Sequence, residues 1–314
     1  MNEIKIWADK IIKNVGLVFY GNELVIKQIL AAILTQGHVL IDDVPGLGKT
    51  VLARALAISI GGKLSRIQAT PDLMPSDVLG VSVYNPQDGN FKYRKGPIVS
   101  NIVLVDEINR ATPRTQSALL EAMAEQQVTI DGKTLTLPSP FFLIATQNPV
   151  DFEGTFPLPE AQKDRFSLTV SLGYPDREIE KEILKNHGQL KNPLTELKEV
   201  GTLEEILKLQ EKICDVHIAP SIIDYILNLI DATRKDINLR MGISPRGSLA
   251  LFKASQALAA ISGRDYVTPE DIQELVLPVF ISRILPRSTA IIKGLDPKQI
   301  LLSIIEQIPA PQLN

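Results

Sequence analysis

A chain of 314 residues is long enough for two domains of ordinary size and too long for one small core. Its 45% hydrophobic and 22% charged residues make a globular composition, and 33 Lys and Arg against 36 Asp and Glu leave a net charge of −3. That balance supplies no overall positive field for nucleic acid or anionic lipid, and a single cysteine, Cys214, excludes a disulfide framework or a cysteine-based zinc cluster and points to a reducing, cytoplasmic setting.

The opening stretch, MNEIKIWADKIIKNVG, mixes charges with apolar residues at helical spacing. It reads as neither a signal peptide nor a membrane span, and no later apolar run approaches the roughly twenty residues that cross a bilayer. Residues 38–41 (HVLI) then form a short apolar run of the kind that suits a buried parallel strand. DDVPGLGKT follows, and a helical pattern begins at Lys49. A phosphate loop needs inward N–H groups, glycines where a side chain would clash, a lysine for the terminal phosphates and a hydroxyl for Mg²⁺. Gly46, Gly48, Lys49 and Thr50 supply these. Asp43 stands where the first glycine is usual, so its carboxylate must turn away from the nucleotide. The candidate cradle runs from Asp43 through Val44, Pro45, Gly46, Leu47, Gly48, Lys49 and Thr50 to Val51.

A second strand is expected at 63–68, and residues 81–94 carry a turn cluster between β-rich arms. At 101–107, NIVLVDE is an apolar strand ending in two acids. Beside a phosphate loop, Asp106 fits a ligand for Mg²⁺ (with Thr50), and Glu107 fits the group that polarises the attacking water. Arg110 and Arg114 flank the next helix start, either as interface residues or on a solvated face. Asp131-Gly132, within the alternating residues 127–137, is a two-residue hairpin signal. The strand at 141–146 leads to Asn148. Asn-Pro alone marks a turn, but a neutral amide there can also hold the lytic water without competing for Mg²⁺. A fifth strand is expected at 167–172. From Pro175 onward the strands are expected to stop, and helical periodicity continues to the C-terminal region, with Thr268-Pro269-Glu270-Asp271 as a capped helix start. His38, His187 and His217 show no clustering, so no metal site is expected from them.

Together, DVPGLGKT, QATPDLMPSDVLG, LVDEINRATPRTQSALLEAM, ATQNPVDFEGTFPLPEAQKDRF and SPRGSLALFKASQALA resemble the MoxR branch of the AAA+ ATPases, from about residue 20 to the C-terminal region. An acidic residue in place of the first loop glycine is common in that family. The resemblance implies an α/β core (residues 1–173) with a parallel sheet of order 5-1-4-3-2 and helices on both faces, followed by an all-α lid (174–314). It implies ATP and Mg²⁺ as cofactors. Asn148 matches the sensor-1 position, Arg165 the arginine finger that reaches a neighbour's γ-phosphate, and Arg246 the sensor-2 arginine that reports nucleotide state to the lid. The hairpins match the helix-2 insert and the pre-sensor-1 hairpin, which typically face the pore or substrate side. A hexameric ring that remodels partner proteins is implied, with von Willebrand factor A domain proteins as frequent clients.

Two positions depart from the family pattern. Gly21-Asn22 replaces the usual Gly-Gln and leaves base recognition open, and Lys163 stands before DRF where an apolar residue is common. Two other classes stay open: a nucleotide-controlled binding switch with little turnover, against which the intact Glu107 argues, and a DNA-associated motor, against which the net charge argues.

Overall fold

The computed structural model describes residues 1–87, 89–149, 154–187 and 193–312, the side chains of 186, 187 and 193 excepted. Residues 150–153 of ATQNPVDFEGTFPLPEAQKDRF and the His187 side chain thus lie outside the described residues.

Two helices precede the sheet. α1 (Asn2–Val15) buries Ile4, Trp7, Ala8, Ile11 and Val15, a stripe at helical spacing. α2 (Glu23–Leu34) begins at Asn22, whose side chain accepts the Leu24 N–H. The chain continues through β1 (Val39–Asp42), α3 (Lys49–Ser59), β2 (Leu64–Gln68), a short α4 (Pro75–Leu79) and the hairpin β3 (Gly80–Asn85)–β4 (Asn90–Lys95). β5 (Ile102–Asp106) precedes α5 (Pro113–Glu125), which is capped by the Thr112 hydroxyl with proline in its first turn. The hairpin β6 (Gln127–Ile130)–β7 (Lys133–Thr136), β8 (Phe142–Gln147), α6 (Glu160–Lys163) and β9 (Leu168–Val170) complete the α/β half.

The strands β2-β5-β8-β1-β9 pair in parallel in that order, which is the expected 5-1-4-3-2 arrangement. Successive residues serve opposite faces of the sheet. Val39, Ile41, Leu104 and Ile144 share one core with α1, α2 and α3, whereas Leu40, Val103, Val105 and Leu143 share another with Leu119, Leu120 and Met123 of α5. Because both faces are covered there, β1, β5 and β8 read as near-continuous apolar runs, whereas the edge strand β2 carries Ser65, Arg66 and Gln68. The carboxyl ends of β1, β5 and β8 therefore open on one crevice, the usual ligand position in such sheets.

Neither hairpin joins the central sheet. At the tip of β6–β7, Asp131 (φ 50°) and Gly132 (φ 75°) are both left-handed, as a two-residue primed turn demands. On β3–β4, exposed Tyr84 and Phe91 lie directly opposite, their ring centroids 5.4 Å apart.

The remaining helices are α7 (Arg177–His187), α8 (Leu203–Ile213), α9 (Pro220–Lys235), α10 (Pro245–Ile261), α11 (Pro269–Phe280), α12 (Ser288–Ile292) and α13 (Pro297–Gln307). Thr202 and Thr268 each form a capping box, the latter at the start expected from Thr268-Pro269-Glu270-Asp271. The expectation of a strand-free second half needs correction. β10 (Leu239–Met241) and β11 (Leu285–Pro286) pair antiparallel, and Arg287 adds bonds from its N–H to the Asn238 carbonyl and from Nε to that of Leu239. Strands of three and two residues are too short to leave a period in the sequence. α11 also stops four residues before the end of the apolar run that reaches Ile284. α1 and α2 pack against α10, so one continuous core joins the sheet to the helical half.

Candidate active site

The loop after β1 is shaped by its two glycines. Gly46 (φ 93°) and Gly48 (φ 85°) both adopt left-handed backbone, and Gly48 directly precedes the first residue of α3. A side chain at Gly46 would meet nothing within 4 Å, so the glycine answers to conformation and not to crowding. Lys49 Nζ donates to the Asp43 carbonyl at 2.5 Å. The Asp43 carboxylate points the other way: Oδ1 accepts from Ser171 Oγ at 2.8 Å and Oδ2 from the Leu172 N–H at 2.5 Å. The acid in the place of the first glycine thus ties the loop to the end of β9.

A cleft of about 210 Å³ lies over this loop, and its walls bring together Asp43, Pro45, Gly46, Gly48, Lys49, Thr50, Val51, Asp106, Glu107 and Asn148. Four elements supply the chemistry: the β1 loop and α3, the end of β5, and the end of β8. Parallel registry sets their levels, with Ile41 opposite Thr146 and Gln68 opposite Asp106. Burial pulls the Lys49 ammonium below its ordinary range, against the attraction of Asp43, Asp42, Asp106 and Glu107. Asp42 moves the opposite way, its carboxyl raised by burial. Thr50 and Asp106 offer hard oxygen donors on this cleft, the ligand type that Mg²⁺ takes. A larger cavity of about 580 Å³ shares Gly46, Gly48 and Val51 with the cleft and adds Leu47. Phe19, Leu172, Tyr174 and Ile179 give it an apolar wall, and Gly21-Asn22 lies on its rim. Val44 lines neither space.

Glu107 sits in strained left-handed backbone (φ 54°, ψ 53°), uncommon for a residue with a side chain. Its N–H donates to Thr146 Oγ1 at 2.9 Å, and its Oε2 accepts from Arg110 Nη1 at 3.0 Å. Asn148 follows the end of β8, its carbonyl 3.5 Å from Asn109 Nδ2. Arg165 and Arg246, by contrast, do not line the cleft of their own chain. Arg165 Nη1 donates to the Leu120 carbonyl at 3.0 Å. Arg246 is exposed at the start of α10, close enough to Arg283 for their charges to oppose each other.

Residues 38–168 match the model of the "ATPase family associated with various cellular activities (AAA)", and residues 231–301 match the AAA lid domain. Protein YeaC of Bacillus subtilis is 46% identical over 302 residues, covering 96% of this chain and 94% of its own. Chaperone MoxR1 of Mycobacterium tuberculosis is 38% identical over 315 residues, covering 98% of this chain and 83% of its own. The chain belongs to the MoxR family of AAA ATPases. The crystal structure of a candidate ATPase from Cytophaga hutchinsonii superposes on this MoxR chain with a TM-score of 0.90 at 38% identity, covering 99% and 98% of the two chains. Among the described residues, no helix is long and apolar enough to cross a membrane.

Several groups around the MoxR site were not read from the sequence. Arg66 and Gln68 of β2 reach the cleft, and Arg66 Nε pairs with Asp106 Oδ2 at 2.5 Å. Their i, i+2 spacing on a strand places them on one face, a signal available in KLSRIQ. Thr146 also lines the cleft, and its hydroxyl anchors the Glu107 backbone. Arg110 is exposed, as a residue on a solvated face would be, and also pairs with Glu107. Arg283 and Asp164 left no sequence signal, because their meeting is tertiary.

Proposed function

We propose that this MoxR ATPase hydrolyses ATP in a Mg²⁺-dependent reaction at the interfaces of a ring, and uses the cycle to remodel or mature partner proteins. The convergence of Lys49, Thr50, Asp106, Glu107 and Asn148 on one cleft, with Arg165 and Arg246 outside it, carries this reading. Lys49 and the loop N–H groups bind the phosphates. Thr50 and Asp106 would hold Mg²⁺, which when bound offsets phosphate charge. Glu107 orients and polarises water positioned by Asn148. The base would enter the apolar cavity of about 580 Å³ at Phe19, Tyr174 and Ile179, which adjoins the loop at Gly46 and Gly48.

Arg165 completes the site of the next subunit, where a fixed, always-charged fork stabilises developing phosphoryl charge. In other nucleotide hydrolases such an arginine contributes on the order of 10³–10⁵ in rate, so an isolated protomer turns over slowly. Arg246, by the family resemblance, reports nucleotide state to the lid. The division into a core of residues 1–173 and a lid of 174–314 follows the change from sheet to helices. Family resemblance supports a hexamer, a cytoplasmic location and clients with von Willebrand factor A domains, and the name of the mycobacterial relative supports a chaperone role.

Turnover measured against protein concentration, with and without Mg²⁺, tests the scheme. Specific activity rises as subunits associate, and Lys49→Ala and Arg165→Ala chains, each inactive alone, recover activity when mixed. Full turnover by dilute monomers, or mixed rings without activity, would overturn it.

A further inference from the structure

Arg283 follows α11 in the helical half, yet its side chain is 2% exposed and ends inside the α/β half. Nε donates to Asp164 Oδ1 at 2.8 Å, Nη1 donates to the carbonyls of Ser167 (3.1 Å) and Val279, and Nη2 to those of Asp164 (3.4 Å) and Phe166. The other Asp164 oxygen, Oδ2, accepts from Ser244 Oγ at 3.0 Å, and the same Ser244 hydroxyl caps α10 through the Gly247 N–H. Gly247 is where the guanidinium arm passes beneath α10: a Cβ there would stand 3.0 Å from Arg283 Cδ and 2.7 Å from Ile243 Cγ2. One buried cation from the lid therefore grips the residues on both sides of Arg165.

Breaking this pair in place would leave a buried guanidinium and a partly buried carboxylate without each other, an unfavourable state. A lid that moves must carry the Asp164–Ser167 segment with it or lose every bond that Arg283 and Ser244 make to that segment. We propose that Arg283 is a positioning residue for Arg165: its clasp on Asp164 fixes the arginine finger to the lid of the same chain, so the lid of one subunit sets the finger offered to the next. This rests on the interfacial reading above. Arg283 itself touches no nucleotide; it acts through the backbone it holds.

Complementation separates the two roles each chain plays. A Lys49→Ala chain donates a finger but has no working loop, and an Arg165→Ala chain keeps the loop but donates nothing. Adding Arg283→Lys to the donor keeps the charge and loses the fork. It should lower the activity of mixed rings by about ten- to a hundredfold, the scale of a ~1 Å misplacement. Adding it to the Arg165→Ala acceptor should leave activity within about twofold of the parent mixture, because ATP affinity and the acceptor's loop are untouched. Asp164→Asn, nearly isosteric, should show the same donor-only loss. A loss in both roles, as misfolding would give, or in neither overturns the proposal while the interfacial scheme stands. Absence of complementation in the parent mixture removes the interfacial scheme itself and this proposal with it.

Discussion

Arg66 Nε lies 2.5 Å from Oδ2 of Asp106, so the carboxylate proposed for Mg²⁺ already has a cationic partner. Asp106 is largely buried and Arg66 half-exposed, so the pair is worth little in stability, on the order of 0.2–1 kcal/mol. Metal and guanidinium would compete for the charge of one carboxylate. Arg66→Gln should therefore lower the Mg²⁺ concentration that half-saturates nucleotide binding by roughly two- to fivefold, the equivalent of that energy. A calorimetric titration of Mg²⁺ at fixed nucleotide checks it. A higher Mg²⁺ requirement would show that Arg66 assists the phosphates instead.

Asp43 gives a second, opposite case, an acid in the loop that faces away from the ligand. Asp43→Ala removes the acceptor of the partly buried Leu172 N–H and of Ser171, at a cost of about 0.5–1.5 kcal/mol. Denaturant unfolding should show that loss. ATP affinity should hold, since Lys49 is placed by the backbone carbonyl of residue 43, which every residue has. An affinity as poor as that of Lys49→Ala would mean that the carboxylate serves the nucleotide directly.

Glu107 and Asp106 are adjacent and should fail differently. Glu107→Gln keeps the side-chain shape, and the backbone bond to Thr146 does not depend on the carboxylate. Turnover should fall by roughly 10²–10⁴, the range for a general base, while ATP binding remains. Asp106→Asn should weaken Mg²⁺-dependent binding as well. Equal losses of affinity in the two variants would dissolve the division of labour.

Much of this arrangement was legible in the sequence because it is written in local patterns. The strands β1, β5 and β8 are apolar runs, the loop glycines sit where positive φ is needed, and Asp131-Gly132 names its own turn. The orientation of Asp43 also followed, since a carboxylate aimed at phosphates would repel them. What escaped has a common cause. Arg283 stands just past the end of α11, and its partner Asp164 lies 119 positions earlier. The Arg66–Asp106 and Glu107–Thr146 contacts likewise depend on strand pairing, which brings together residues 40 and 39 positions apart. The β10–β11 pair is too short for any period.

His38 is the last such long-range residue, and it makes the fold sensitive to acid. Its ring is buried between strands and α5: Nδ1 accepts the Leu143 N–H at 3.1 Å, and Nε2 lies 3.1 Å from the Met123 carbonyl. Accepting at Nδ1 requires the neutral ring with its proton on Nε2. Burial lowers the pKa from 6.5 to about 4, against the pull of the Met123 carbonyl. The unfolded chain therefore binds a proton between these values and the folded chain does not, so stability falls as pH drops from 6.5 to about 4 and this contribution levels off below. The slope reaches about 1.4 kcal/mol per pH unit, for a total on the order of 3 kcal/mol. His38→Gln should be less stable than the parent at pH 8, and the gap should narrow by about that total as pH falls to 4. Paired denaturant melts across this range read the difference directly, with the carboxylates common to both chains cancelling. A gap that stays constant from pH 8 to 4 would show that His38 titrates at its ordinary value in the fold.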